Sequence, residues 1–365
     1  MSFAAEHEEE LKQFVRDLAV IPAPSGDEGR RAAFIRDTLE SWGARGVFID
    51  EALNVVWPRG EGEERSVFMA HTDVVFPDTE PLPFSEDGDV FRAPGVGDDT
   101  ANLAVLLFAA RSFMGRTPKK PLLIVANSCE EGLGNLKGCR RIIDTYKVRE
   151  LVTVDGDLDT LVTGAVGSHR YRVTVRTAGG HSFHDFGAPN AAAQLAEIIC
   201  ALYAVRVPEK EGAVTTYNVG TIEGGTSVNT IAQEAEMLYE YRSDDAECLA
   251  AMRGIFLGII GDFRARGMEI EAELIGERPC SGAVDPAEHE RLKEVMRRAA
   301  AETTGLTLRE SVGSTDANYP LSLGIPAVCI GGCDSEGSHT REETLDASTL
   351  RPGLEYVIKV LGNWF

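Results

Sequence analysis

The stretch SVFMAHTD, residues 66–73, predicts a buried strand that ends in a histidine and an aspartate. Further apolar runs at residues 54–57, 121–127 and 151–155 are typical of short strands, and residues 100–114 have the pattern of a helix. Strands that alternate with helices indicate a parallel sheet with helices on its faces. The sequence therefore predicts an α/β fold with a doubly wound mixed sheet.

The pattern changes after Gly167. Alternating polar and apolar residues, which suit strands with one wet face, are separated by two helical stretches. The strands are expected near residue 171 and at 214–222, 232–241 and 268–275, and the helices at 191–205 and 245–266. This β-α-β-β-α-β order is the ferredoxin-like arrangement. We therefore predict an inserted α+β domain at residues 168–278, within a catalytic domain formed by residues 1–167 and 279–365.

Helical patterns also occur at the two ends of the chain. Residues 6–20 and 27–42 are predicted helices separated by a Pro- and Gly-containing breaker, in which Ser25 is available as a helix cap before Glu28. Near the C-terminus a helix at 286–303, a buried strand at 327–331 and a helix from Leu350 return to the doubly wound pattern.

The overall composition excludes several classes of partner. The formal charge is −22, from 36 basic and 58 acidic residues, so neither nucleic acid nor an anionic membrane surface is an expected partner. No apolar stretch approaches the roughly 20 residues that span a bilayer, and the N-terminus lacks signal-peptide character. Seven cysteines without CxxC spacing argue against a disulfide framework and a structural zinc site. A cytoplasmic protein is expected.

Two motifs combine metal-ligand residue types. His71 and Asp73 are two residues apart in a strand, so both side chains point to the same face; His71 could ligate a metal while Asp73 accepts its other N–H. Taken alone, a structural histidine would be the likelier interpretation. Asp98 and Asp99 follow two glycines before a helix, where one carboxylate could bridge two cations or simply cap the helix.

Three further motifs supply the remaining ligand types. Glu130 and Glu131 follow an apolar run; adjacent carboxylates there need a cation or a raised pKa unless both are solvated. Asp155 also follows a strand, although strand-end aspartates are common turn formers, and His339 lies in a glycine-rich segment. Together, two histidines and several carboxylates at strand ends match the mixed ligands of zinc, with manganese or cobalt as alternatives. The sequence thus predicts a co-catalytic metallohydrolase.

The motif order HTD, GDD, EEG, DG and H resembles the zinc metallopeptidase superfamily of aminoacylase, glutamate carboxypeptidase, succinyl-diaminopimelate desuccinylase and the tripeptide aminopeptidase called peptidase T. The resemblance covers essentially the whole chain. It implies a zinc-peptidase domain with a ferredoxin-like lid or dimerisation domain, and two divalent metal ions. It also implies the metal ligands, with His71 and Asp155 at one ion, Glu131 and His339 at the other, and Asp98 between them.

The resemblance implies other roles as well. Glu130 would be the general base, and Asp73 would orient His71, while Asp99 is a less favoured substitute for the bridging Asp98. His181, or less favourably its neighbour His184, would contact substrate across a homodimer formed through the lid domain. Asn229 and Arg242 would bind polar groups of the substrate, and Thr315 would line the pocket.

The run HSFHDFGAPNA, residues 181–191, departs from the HAGxxP of many aminoacylases and carboxypeptidases and is closer to the peptidase T-like branch. Asp155, where some carboxypeptidases carry Glu, points the same way. We therefore expect an aminopeptidase on short peptides. An N-acyl amino acid deacylase or a carboxypeptidase of the same superfamily is the alternative. A non-catalytic metal- or peptide-binding protein is disfavoured, because a binder has no need of a general base such as Glu130.

Overall fold

The computed structural model describes residues 2–365. Its α-helices, in chain order, are α1 (Phe3–Glu6), α2 (Glu8–Ala19), α3 (Gly29–Ser41), α4 (Asn102–Arg111), α5 (Lys137–Thr145), α6 (Ala191–Tyr203), α7 (Ala246–Ala265), α8 (Pro286–Thr303), α9 (Asn318–Ser322) and α10 (Leu350–Leu361). Its strands are β1 (Phe48–Ile49), β2 (Val55–Arg59), β3 (Glu64–His71), β4 (Ser85–Asp87), β5 (Val90–Arg92), β6 (Leu122–Asn127), β7 (Lys147–Val154), β8 (Thr160–Ala165), β9 (Gly167–Arg176), β10 (Gly180–His181), β11 (Thr215–Gly224), β12 (Thr230–Ile231), β13 (Glu234–Ser243), β14 (Glu269–Arg278), β15 (Arg309–Gly313), β16 (Ala327–Ile330), β17 (Asp334–Glu336) and β18 (Thr344–Asp346). Shorter helical turns occur at Val96–Ala101, Gly132–Gly134 and Ala347–Thr349.

The chain forms two compact units. One comprises the residues up to Ala165 together with Gly282–Phe365, and the other is Val166–Ser281. These limits lie within three residues of the boundaries expected from the sequence. No helix among the described residues is long and apolar enough to cross a membrane.

The first unit is built on an eight-stranded mixed sheet with the order β1-β2-β6-β3-β7-β16-β8-β15. Strands β6, β3, β7 and β16 run parallel, so their carboxyl ends meet at one edge of the sheet. Strand β2 is antiparallel to β6, and β8 is antiparallel to β16. The predicted mixed α/β fold is confirmed.

Alternate residues of the central strands pack against helices on opposite faces of this sheet. On β3, Phe68 and Ala70 join a core with α2, α3, α4, α8 and α10. Val67 and Met69 join a separate core with α5 and α9. Successive side chains of a strand point to opposite faces, so a strand covered on both sides is apolar throughout. This explains why residues 67–70 are all apolar and fully buried.

The second unit contains the four-stranded antiparallel sheet β11-β13-β9-β14. Helices α6 and α7 pack against this sheet and share one hydrophobic core with it. Its order β9-α6-β11-β13-α7-β14 is the ferredoxin-like arrangement that the alternation predicted. The pair β10-β12 is an addition to that arrangement.

Some local features differ from the sequence-based expectation. Ser25 does not cap a helix: α3 begins at Gly29, after Glu28. Strands β8 and β15, and the small sheet β17-β18-β5-β4, had no counterpart among the predicted elements. Strands β4, β5, β15 and β17 consist mostly of exposed residues, and the partly buried β8 and β18 have only short apolar stretches, so a periodicity argument has no apolar run to detect.

Candidate metal centre

His71 is the last residue of β3 and is almost completely buried. Its Nδ1 lies 3.0 Å from the carbonyl oxygen of Asp73, and its Nε2 lies 3.1 Å from Oδ1 of Asp98. A carbonyl oxygen only accepts hydrogen bonds, so it favours the proton on Nδ1. That tautomer leaves Nε2 as the ring atom able to ligate a metal ion.

Asp98 lies between the two imidazoles. Its Oδ1 faces Nε2 of His71, and its Oδ2 lies 3.3 Å from Nε2 of His339. The neighbouring Asp99 is oriented differently, because its Oδ2 accepts the backbone N–H of His71 at 2.8 Å. Of this acidic pair, Asp98 is therefore the one with an oxygen directed to each histidine.

The loop that carries Asp98 is held by the buried carboxylate of Glu343. Oε1 accepts the backbone N–H groups of Gly97 and Asp98 at 2.7 and 2.8 Å, and Oε2 accepts that of Gly95 at 3.0 Å. A Cβ at Gly97 would lie 2.2 Å from Cβ of Ser335, so the close approach of the loop requires glycine there. Glu343 thereby fixes the backbone that leads into the shared aspartate.

Glu131 and Asp155 complete the cluster. Oε2 of Glu131 lies 3.2 Å from Nε2 of His339, and Asp155 directly follows β7. Ligand atoms of His71, Asp98 and Asp155 lie within 4.8 Å of one another, and so do those of Asp98, Glu131 and His339. The structure therefore brings together the side chains that the motifs predicted as ligands, in two groups that share Asp98.

The charges in this cluster perturb one another. Burial, reinforced by Asp155 and Asp98, raises the pKa of Asp99 well above its usual value, and burial with Asp98 does the same to Asp155. Burial also opposes ionisation of Asp98, but hydrogen bonds from His339 and His71 lower its pKa. Hydrogen bonds to Asp98 and Glu131 raise the pKa of His339 to about 10. Each imidazole thus interacts with carboxylates that repel one another.

This donor set fits a pair of divalent cations. Two imidazole nitrogens and three carboxylates are ligands that zinc accepts, and manganese or cobalt can use the same atoms. Buried carboxylates that repel one another are stabilised when cations take the place of the shared protons. The shared carboxylate has one oxygen for each group, as a bridging ligand requires.

Asp73 and Glu130 lie beside the cluster. Asp73 is fully buried. Its Oδ1 lies 3.4 Å from Nδ1 of His71, whereas its backbone carbonyl oxygen lies 3.0 Å from the same nitrogen. Its two carboxylate oxygens accept the backbone N–H groups of Glu130 and Glu131, each at 2.9 Å. The backbone carbonyl of Asp73 thus contacts the histidine more closely, and its carboxylate fixes the turn that bears the two glutamates.

Sequence reasoning missed the residues that hold this turn from the N-terminal segment. The Ser25 hydroxyl donates to Oδ2 of Asp73 at 2.6 Å. Glu28 is fully buried, and its Oε1 accepts the backbone N–H groups of Gly26 and Cys129 at 2.8 and 3.0 Å. Cys129 has φ +56° immediately before Glu130, so an anchor on its amide helps to maintain an uncommon backbone conformation. The clues in the sequence were Ser25 in the predicted breaker and Glu28 in the first turn of the helix predicted after it.

Two buried charged groups near the site were given no role of their own in the sequence-based prediction. Arg31 donates to the carbonyl oxygens of Thr72 at 2.8 Å and Ile21 at 3.1 Å, and burial lowers its pKa to about 10. Asp316 accepts from Asn127 Nδ2 at 2.6 Å, and burial next to Glu130 raises its pKa to about 7. Arg31 has no local motif that separates it from an ordinary surface charge, whereas Asp316 directly follows the expected pocket residue Thr315.

Thr315 is nearly buried, and its hydroxyl accepts the backbone N–H of Ala317, which makes it a turn-stabilising residue in this structure.

The candidate substrate residues of the inserted domain lie in the second unit. His181 is exposed on β10, and its Nδ1 accepts the backbone N–H of Phe183 at 3.2 Å. Its Nε2 is therefore the nitrogen able to donate.

The other two lid residues are engaged locally. Oδ1 of Asn229 accepts the hydroxyl of Ser227 at 2.8 Å. The guanidinium of Arg242 on β13 makes two hydrogen bonds to Glu240, of 3.0 and 3.1 Å. The ring of His184 is tilted against that of His181, with the two centroids 4.7 Å apart, so the two imidazoles share one surface.

Comparison with known proteins shows full-length similarity. A family model described as Peptidase family M20/M25/M40 matches residues 67–363. A putative succinyl-diaminopimelate desuccinylase of Mycobacterium tuberculosis is 26% identical over 363 residues, covering 94% of this chain and 96% of that protein. A tripeptidase structure from Staphylococcus aureus gives a TM-score of 0.75 at 22% identity, with 97% of each chain covered. The di-peptidase Dug1p from Saccharomyces cerevisiae gives 0.78 at 16% identity, covering 99% of this chain and 97% of that one. The resemblance found in the motifs is confirmed.

Proposed function

The chain belongs to peptidase family M20/M25/M40 and is a hydrolase of amide bonds, and we propose that it is a two-metal exopeptidase, an aminopeptidase on short peptides. The observation that carries the two-metal proposal is the pair of ligand groups sharing Asp98. In this proposal His71, Asp98 and Asp155 hold one ion, and Asp98, Glu131 and His339 hold the other. Zinc is the proposed metal, with manganese or cobalt as alternatives.

The proposed chemistry assigns separate tasks to the two adjacent glutamates. Bound divalent cations supply a water of lowered pKa and a polarised carbonyl. Glu130 accepts the proton of that water on its carboxylate and returns it to the leaving amine, as general base and then acid. Asp73 keeps Glu130 in place through the backbone N–H that it accepts. Glu131 stays with His339 as a ligand.

The inserted domain supplies the proposed substrate contacts. The free Nε2 of His181 can donate to a developing oxyanion, which is the role that the family resemblance suggests for it. Asn229, Arg242 and Thr315 are proposed to bind polar groups of the substrate. We also propose a cytoplasmic homodimer that associates through this domain, whose edge strand β11 carries the exposed Ile222. Sedimentation of the native protein as a monomer would contradict that association.

A second candidate function is the hydrolysis of N-acyl amino acids. It is favoured by the 26% identity with a protein named as a putative desuccinylase, over nearly the full length of both chains. The two functions differ in what they require at the substrate N-terminus, because an aminopeptidase needs a free amine. A screen of the metal-reconstituted enzyme with free tripeptides, the same tripeptides with blocked N-termini, and N-acyl amino acids therefore separates them. Hydrolysis of blocked substrates alone would reject the aminopeptidase.

Substitution of Glu130 tests catalysis independently of substrate choice. We expect Glu130→Gln to lower turnover by at least about 100-fold, the usual contribution of a general base, with metal content unchanged. The control is Glu61→Gln, an exposed carboxylate at the other edge of the sheet, which should have wild-type turnover. Wild-type turnover in Glu130→Gln would remove Glu130 from the proposed role. No turnover in the wild type on any amide would favour a binding protein.

A further inference from the structure

A cavity of about 470 Å³ lies at the edge of the eight-stranded sheet opposite to the candidate metal centre. Its lining comes from three segments of the chain, at residues 43–45, 57–61 and 114–118. Arg59 of β2 pairs with Leu122 of β6, whereas His71 pairs with Asn127, five residues farther along β6. At about 3.3 Å per residue, the cavity is roughly 17 Å along the sheet from His71. It is therefore a separate cavity from the candidate metal centre.

Arg59 forms part of the wall of this cavity. Its guanidinium lies over the ring of Trp57, 4.6 Å from the centroid, and 5.1 Å from that of Phe365. Nη2 donates to the carbonyl oxygens of Phe113 and Arg116 at 3.0 and 2.8 Å, while Nη1 is buried and has no hydrogen-bond partner among the described residues. Burial alone lowers the pKa of Arg59, without an opposing contribution from any carboxylate. Arg59 is thus held rigidly as a half-buried cation without a counter-ion.

Two more arginines, Arg45 and Arg116, line the same cavity and are exposed. Across residues 2–365, none of these three arginines forms an ion pair with a carboxylate. Glu61 is the single acidic residue in the lining, and Lys119 and Lys120 follow closely in the chain. The chain has 58 acidic and 36 basic residues, so carboxylates are plentiful, yet none of them forms an ion pair with Arg45, Arg59 or Arg116 among residues 2–365.

We propose that this cavity, which we call the arginine cavity, binds a phosphate-type oxyanion, either free or as the phosphoryl group of a small metabolite. A half-buried charge without a partner is costly, and a bound anion removes that cost. Guanidinium groups match the oxygens of phosphate with paired N–H donors, and stacking on an aromatic ring orients the donors beforehand. Arg59 supplies a fixed positive charge in the wall of the cavity, and the exposed Arg45 and Arg116 supply the N–H donors that can close around the ligand.

Hydrogen–deuterium exchange of the metal-loaded protein locates such binding. With inorganic phosphate we expect slower exchange in peptides that cover residues 43–46, 57–61 and 113–118. The variant Arg45→Ala/Arg116→Ala should bind phosphate at this site at least about tenfold more weakly, since each lost charge-assisted contact is worth at least that factor. Arg206→Ala, which removes an exposed arginine of the other unit, is the matched control and should bind as the wild type does.

The two sources of the oxyanion are distinguished by adding AMP, with adenosine as its phosphate-free counterpart. Equal affinities for phosphate and AMP support a site for the free anion, whereas tighter binding of AMP supports a phosphoryl-bearing metabolite. Phosphate bound at the metal centre would slow exchange at other peptides, so the location of the protection is decisive. Unchanged exchange in the three segments of the wild type, or full affinity in the double variant, would overturn the proposal.

Discussion

Replacing Glu343 by glutamine should loosen the metal centre without touching a ligand. The carboxylate accepts three backbone N–H groups of residues 95–98, and glutamine keeps a single acceptor oxygen. In its better orientation that oxygen retains the bonds from Gly97 and Asp98, and the new amide group then faces the N–H of Gly95. One buried donor is left unpaired, which costs about 1–3 kcal/mol. The free energy of unfolding of the metal-free protein should fall by that amount.

Metal affinity should fall as well, because Asp98 is shared by both ligand groups. Loss of a residue that orients a ligand typically weakens metal binding by about 10–100-fold. Competition with a chromophoric chelator measures this affinity, and urea denaturation of the metal-free protein measures the stability. Glu342→Gln, which changes the exposed neighbouring carboxylate, is the matched control and should behave as the wild type. Wild-type affinity and stability in Glu343→Gln would refute the proposed support of the Asp98 loop.

The remaining predictions concern two buried glutamates. Glu28→Leu, which removes the oxygen that accepts the backbone N–H of Cys129 beside Glu130, should lower kcat more than it changes KM; wild-type values of both constants would contradict this. Burial opposes ionisation of Glu150, but hydrogen bonds from Ser66 and Arg291 lower its pKa below the usual value. Its carboxylate therefore stabilises the folded protein above the unfolded-state pKa of about 4.3. This contribution is lost as the pH falls through the lower folded-state pKa. Urea denaturation should therefore show Glu150→Gln less stable than wild type by about 1–3 kcal/mol from pH 7 to 5, with the difference shrinking below about pH 4.3; a constant difference at all pH values would reject the assignment.

Sequence patterns predicted the parts of the structure that depend on residues close together in the chain. Residues 67–70 are apolar because both faces of β3 are covered, and His71 follows them at the carboxyl end, where parallel strands converge. The positions of the candidate ligands could therefore be anticipated from strand ends. Their roles as ligands stay predictions until a metal is measured.

Support from distant residues could not be anticipated in this way. Glu343 contacts Gly97 across 246 positions of the chain, and Glu28 contacts Cys129 across 101. No spacing rule connects such pairs, since they meet only after the sheet has formed. Ser25 illustrates the same limit: its local context indicated a helix cap, but its hydroxyl donates to Asp73, 48 residues away.

Anomalous diffraction from crystals of the zinc-loaded protein, measured at the zinc absorption edge, tests the central claim most directly. We expect two peaks, one bound by His71 and Asp155 and the other by Glu131 and His339, with an oxygen of Asp98 about 2.0–2.2 Å from each. A single peak, or peaks remote from Asp98, would contradict the two-metal centre.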